Sequence, residues 1–116
     1  MGLFEIKTFH DAVSVNGDGE EYAIPKRDGN ITILLSITGV SISTRTITFE
    51  VSDFDDNWTS IMGYNVADLS TGANNTTGTS NEKWKISVGG WKQFRARLSN
   101  FSGTSTTVKG SVLTGQ

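Results

Sequence analysis

The chain of 116 residues has no cysteine, one proline and one histidine. Without cysteine, neither a disulfide nor a thiolate metal site can support so small a fold. Stability has to come from the core, strand pairing and possible partner subunits. His10 has no second histidine or cysteine with which to share a zinc site, and it is expected to be an exposed or capping residue. No apolar run approaches the roughly 20 residues that cross a bilayer. The start, Met1-Gly2-Leu3-Phe4-Glu5, lacks the basic-then-apolar order of a secretory signal. A large charge of either sign is also missing, since 10 basic residues face 12 acidic ones for a net charge of -2. That balance argues against an electrostatic nucleic-acid binder. Apolar residues are scarce at 35%, but disordered chains usually pair such scarcity with high net charge.

Threonine, serine, asparagine and 13 glycines fill the gap, and the β-branched and aromatic residues fall into short runs. This composition predicts an all-β fold with a thin core in one domain. Ile31, Ile33, Leu35 and Ile37 recur at period two and are expected on one face, with Leu34 on the other. Ile47, Phe49 and Val51 alternate with Thr46, Thr48 and Glu50. Trp58 to Met62 reads as a short strand. Trp84, Ile86 and Val88 alternate with Lys83, Lys85 and Ser87. Phe94, Ala96 and Leu98 alternate with Gln93, Arg95 and Arg97, and Val108 and Val112 close the series. No helical apolar period of useful length occurs. Strands at this spacing, separated by turn residues, predict an antiparallel β-sandwich or barrel.

The first 28 residues are expected to form an N-terminal arm or hairpin on or beside a sandwich of residues 29–116. Asn16-Gly17-Asp18-Gly19 is a turn signal between residues 12–15 and 21–24 and predicts a hairpin there. Pro25 opens another turn, and Gly39 to Arg45 provides the next. Residues 70–82 hold one apolar side chain, Ala73, and are expected to form a long exposed loop.

Three pieces in order carry a resemblance. They are Thr46-Ile47-Thr48-Phe49-Glu50-Val51-Ser52-Asp53 with Asn57-Trp58, then Trp84 to Gly90 running into Phe94-Arg95-Ala96-Arg97-Leu98-Ser99, then Gly103 with Thr106 to Gly110. Together, over roughly residues 30–113, they resemble a small β-sandwich module of tailed-bacteriophage and prophage virion proteins. The acidic stretch Asp53-Phe54-Asp55-Asp56-Asn57 departs from that family's short Asp-Gly turn. The resemblance implies a jelly-roll-like sandwich and a non-enzymatic virion part, made in the host cytoplasm. Head fibres, capsid decoration proteins and tail components all use such modules. A short free chain suits capsid decoration, acting as a homo-oligomer or symmetric array on other phage structural proteins. The alternative is a tail or fibre module that binds a carbohydrate receptor. A small hydrolase is a third and weaker reading. No cofactor, nucleic acid or membrane partner is implied.

Each candidate site has a plain counterpart. Arg95 and Arg97 share one strand face, and if their strand pairs with the Trp84 strand, Lys83 and Lys85 extend it into a basic docking stripe. The plain reading is a solvated outer face. Trp58, Trp84, Trp91 and Tyr64 could stack on sugars. Trp58 and Trp84 sit in phase with apolar neighbours and are expected to be buried, which leaves Trp91 as the most exposed. Asp53, Asp55 and Asp56 are close enough in sequence to consider Ca²⁺, but they lack EF-hand spacing and read first as turn formers. Asn-x-Ser/Thr sequons are by-products of this composition.

Overall fold

Alternation sets the fold. A computed structural model describes residues 4–24, 31–53 and 57–114. The turn expected from Pro25, together with Asp55 and Asp56, lies outside them. Ile31, Ile33, Leu35 and Ile37 on strand β3 (Ile31–Val40) are all buried, and Leu34 on the opposite face is half-buried. Strand β4 (Thr44–Ser52) buries Ile47, Phe49 and Val51, and β9 (Glu82–Ser87) buries Trp84 and Ile86. Strand β10 (Gln93–Ser102) contributes Phe94, Ala96 and Leu98, and β11 (Ser105–Thr114) contributes Val108 and Val112.

These faces meet in one core between two antiparallel sheets. Phe9 of β1 (Phe4–Val13) meets Phe94 edge-on at 5.4 Å, and Phe49 meets Trp84 at 5.2 Å, so each aromatic pair joins one sheet to the other. The remaining strands are β2 (Tyr22–Ala23), β5 (Trp58–Ser60), β6 (Gly63–Asn65), β7 (Asp68–Ala73) and β8 (Asn75–Thr76). The six-stranded sheet runs β1-β11-β3-β9-β6-β7. The five-stranded sheet runs β2-β10-β4-β5, with β8 also paired to β4. Without the β6–β8 excursion, two four-stranded sheets remain, β1-β11-β3-β9 and β2-β10-β4-β5, wired as a jelly roll. The predicted all-β antiparallel sandwich is therefore the observed fold.

Local departures have physical reasons. The predicted hairpin between residues 12–15 and 21–24 does not form. Strand β1 pairs with β11 in one sheet and β2 with β10 in the other. The Asn-Gly segment instead crosses between the sheets, where Gly17 exchanges two backbone hydrogen bonds with Leu98 at 2.8 and 3.0 Å. Asn16 Oδ1 also accepts the Phe101 amide. Residues 4–24 thus supply a strand to each sheet. The long polar loop expected at 70–82 contains the end of β7 and all of β8. Backbone pairing needs no apolar alternation, so these edge strands leave no period-two signal.

His10 is buried, not exposed or capping as expected. Its Nε2 lies 2.6 Å from the Ala96 carbonyl, which makes Nε2–H the donor. Burial lowers its pKa below the ordinary 6.5, while the Ala96 bond and the charge of Asp18 oppose the shift. Because the folded pKa is depressed, the unfolded chain binds more protons between that value and pH 6.5. The stabilisation is complete above pH 6.5 and is lost as pH falls toward the folded pKa. Urea midpoints should drop between pH 7.5 and pH 5.5, and His10→Gln should flatten that drop. Equal pH slopes for the two proteins would remove His10 as the cause.

Candidate functional site

The register separates the residues proposed for a single basic stripe. Strand β9 pairs with β3 and β6, not with β10. Lys83 and Lys85 therefore lie on the outer face of the six-stranded sheet, whereas Arg95 and Arg97 lie on the outer face of the other sheet. The expected continuous stripe is not formed, because the chain between Ser87 and Gln93 crosses from one sheet to the other instead of folding into a hairpin.

On the five-stranded sheet, Glu50 of β4 stands directly opposite Arg95 and diagonal to Arg97. Its two carboxylate oxygens accept from Arg95 Nε at 2.8 Å and Arg97 Nε at 3.1 Å. Arg95 also reaches Asp18 at 3.4 Å, and its guanidinium lies 4.0 Å from the ring centroid of Trp58. Trp58 is half-buried under that guanidinium, not in the core as its phase suggested. Glu50 is 9% exposed, although its strand position faces outward. Each arginine thus has a carboxylate partner, and the cluster is close to neutral.

The other outer face has a different character. Along one rung, Ile6, Ser111, Leu34, Lys85 and Tyr64 stand side by side across β1, β11, β3, β9 and β6. The next rung holds Thr8, Lys109, Ser36 and Lys83. Lys83 and Lys109 lie two strands apart, about 10 Å. Lys83, Lys85 and Lys109 are exposed and form no ion pair among the described residues. Ile6 is 63% exposed, and Tyr64 and Leu113 are also exposed. Unpaired ammonium groups beside exposed apolar side chains make this the face best suited to a partner.

Tryptophan placement follows packing. Trp84 is buried as expected, with Nε1–H donating to Glu82 Oε1 at 2.9 Å. Trp91 is half-buried against the core, and Tyr64 belongs to the lysine face, so the aromatic residues do not converge on one platform. Asp53 is exposed. Among the described residues, no cluster of three or more histidine or acidic side chains could hold a metal.

Sequence reasoning missed the buried ion pair of Arg45 and Glu82. Arg45 is 1% exposed. It donates to the carbonyls of Gly78 and Ser80 at 2.8 Å each and to Thr106 Oγ1 at 3.2 Å. Glu82 Oε1 accepts from Thr76 and Trp84, while Oε2 lies 3.7 Å from Arg45 Nη2. Both residues had a readable signal. Arg45 is in phase with Ile47 and Phe49, and Glu82 with Trp84 and Ile86, so each falls on an inward position of its strand.

The XepA family model matches residues 4–112. Among solved structures, the SPBc2 prophage-derived protein YomS superposes with a TM-score of 0.84 at 26% identity, covering 98% of this chain and 96% of that one. The PBSX exported protein XepA superposes with a TM-score of 0.86 at 19% identity, covering 97% of this chain but only 38% of that longer one. No curated protein matches the chain.

Proposed function

This chain belongs to the XepA family, and from that premise we propose that it is a non-enzymatic, phage-derived binding protein that docks on a larger particle. The family match and the likeness to a prophage-derived protein support the phage origin. The observation that carries docking is the lysine face, where Lys83, Lys85 and Lys109 form no ion pair among the described residues and stand beside Ile6, Leu34 and Tyr64. An acidic, partly apolar protein surface complements it. The buried carboxylates point the same way, because Glu50 and Glu82 are engaged by arginines in internal networks and not poised as an acid–base pair. A head-associated decoration protein of the virion, repeated by the particle's symmetry, is the specific role proposed.

Co-sedimentation of the purified protein with separated heads and tails tests this. Binding to heads is expected. The double variant Lys85→Glu/Lys109→Glu should weaken it at least about tenfold while the melting temperature holds, since exposed charges contribute little to stability. Capture by tails alone would transfer the role to a tail or fibre module. Binding to neither would sink the reading.

A further inference from the structure

At one end of the lysine face the sheet opens into a groove of about 590 Å³. It exists because β9 begins at Glu82, opposite Ile37, so β3 has no β9 neighbour from Thr38 onward. The turn after β6 forms one wall and is tied down where the Val66 amide donates to the Lys83 carbonyl at 2.9 Å. The loop at 78–81 forms the other wall, held by Arg45 through the carbonyls of Gly78 and Ser80. Both walls are anchored before any ligand arrives, which lowers the ordering cost of binding.

Most of the residues that line it are polar, although their carbons and Ile37, Val66 and Ala67 give it apolar surface as well. Ser36, Thr38, Asn65, Ser80, Asn81 and Lys83 line it, as does Glu82, whose carboxylate is held by Thr76, Trp84 and Arg45. The hydroxyls of Ser36, Thr38 and Ser80, the Asn81 amide, Asn65 Nδ2 and the Lys83 ammonium have no side-chain partner among the described residues. Val66 adds an exposed apolar patch to the wall, and among the described residues no aromatic ring lines the groove.

The geometry points to a binding site for an acidic saccharide. Hydroxyl and amide groups match the hydroxyls of a sugar, and Val66 meets its C–H face. The Lys83 ammonium holds a carboxylate or sulfate, with Lys109 about 10 Å away across Ser36 to meet the next one. With no ring available for stacking, charge supplies the selectivity over neutral sugars. A flat acidic protein surface would use the lysines but not the groove, so the two kinds of partner can be told apart by filling it.

Isothermal titration with hexagalacturonate and a heparin hexasaccharide tests the site on the intact chain. Saturable binding of at least one is expected, with neutral maltohexaose at least about tenfold weaker. Ser36→Leu, which fills the groove and keeps every charge, should weaken binding at least about tenfold, as should Lys83→Gln. Asn81→Ala, on an exposed loop, gives a third variant should Ser36→Leu shift the melting temperature. The proposal is overturned if neither acidic saccharide binds or if the groove variants bind as tightly as the parent. Polyglutamate or phosphatidylglycerol vesicles competing equally well would also overturn it. These outcomes do not depend on particle binding, so they stand or fall apart from the docking role.

Discussion

Arg45→Met should destabilise the protein by about 3–5 kcal/mol, the usual cost of breaking a buried ion pair from one side. The arginine is fully enclosed, and burial pulls its pKa below the ordinary guanidinium range while Glu82 pushes it back up. Removing it leaves the Gly78 and Ser80 carbonyls without these donors and strands the Glu82 carboxylate, whose Oε2 already has no hydrogen-bond partner among the described residues. The Gly78 position is tight as well, since a β-carbon there would run into the Glu82 carboxylate. Urea unfolding at pH 7 gives the magnitude. The double variant Arg45→Met/Glu82→Leu should recover part of the loss, because no buried charge then lacks a partner. An Arg45→Met midpoint equal to the parent's would show that the pair contributes nothing. Hydrogen exchange adds a local reading, in which amides of residues 77–81 should lose protection before those of β3.

The parts of this fold that were legible in the sequence are those where burial enforces period two. Strands β3, β4, β9 and β10 each have one dry face, so their apolar residues alternate and their inward sets could be read directly. Strands β7 and β8 are short and polar, held by backbone bonds to β6 and β4, and give no such signal. Strand partners were harder still. A glycine pair such as Gly89-Gly90 says that the chain turns but not whether it returns to the same sheet. That ambiguity produced the expected stripe joining Lys83 and Lys85 to Arg95 and Arg97. The charged residues misled for a related reason. Glu50 points outward from β4 as its phase predicts, but two cross-strand arginines, one of them stacked on Trp58, engage its carboxylate. By residue type Arg45 and Glu82 belong to a turn and a loop, but their phase places both on inward positions. Phase was the better guide, because a side chain's direction is fixed by its backbone and its chemistry is then satisfied locally.

Phe49→Ala should also cost about 3–5 kcal/mol, through lost burial and the cavity left behind. Phe49 is fully buried, stands opposite Ala96 on β10 and packs across the sandwich on Trp84. Gly63 gives little room for collapse into the vacated space, since a β-carbon there would already sit 2.8 Å from Ile86 Cγ1 and 3.2 Å from the Phe49 ring. Phe49→Leu keeps most of the volume and should lose less than the alanine variant. The consequences extend past the cavity. Trp84 ties the aromatic core to the ion pair, because its ring contacts Phe49 while its Nε1–H donates to Glu82. A tryptophan that loosens at one end loses alignment at the other, so core and ion pair should not behave independently. In a double-mutant cycle, Phe49→Ala and Arg45→Met should show a coupling of about 0.5 kcal/mol or more. Strict additivity of the two urea-derived losses would mean that Trp84 transmits nothing between them. The jelly roll would then be held by two separate devices, one apolar and one ionic.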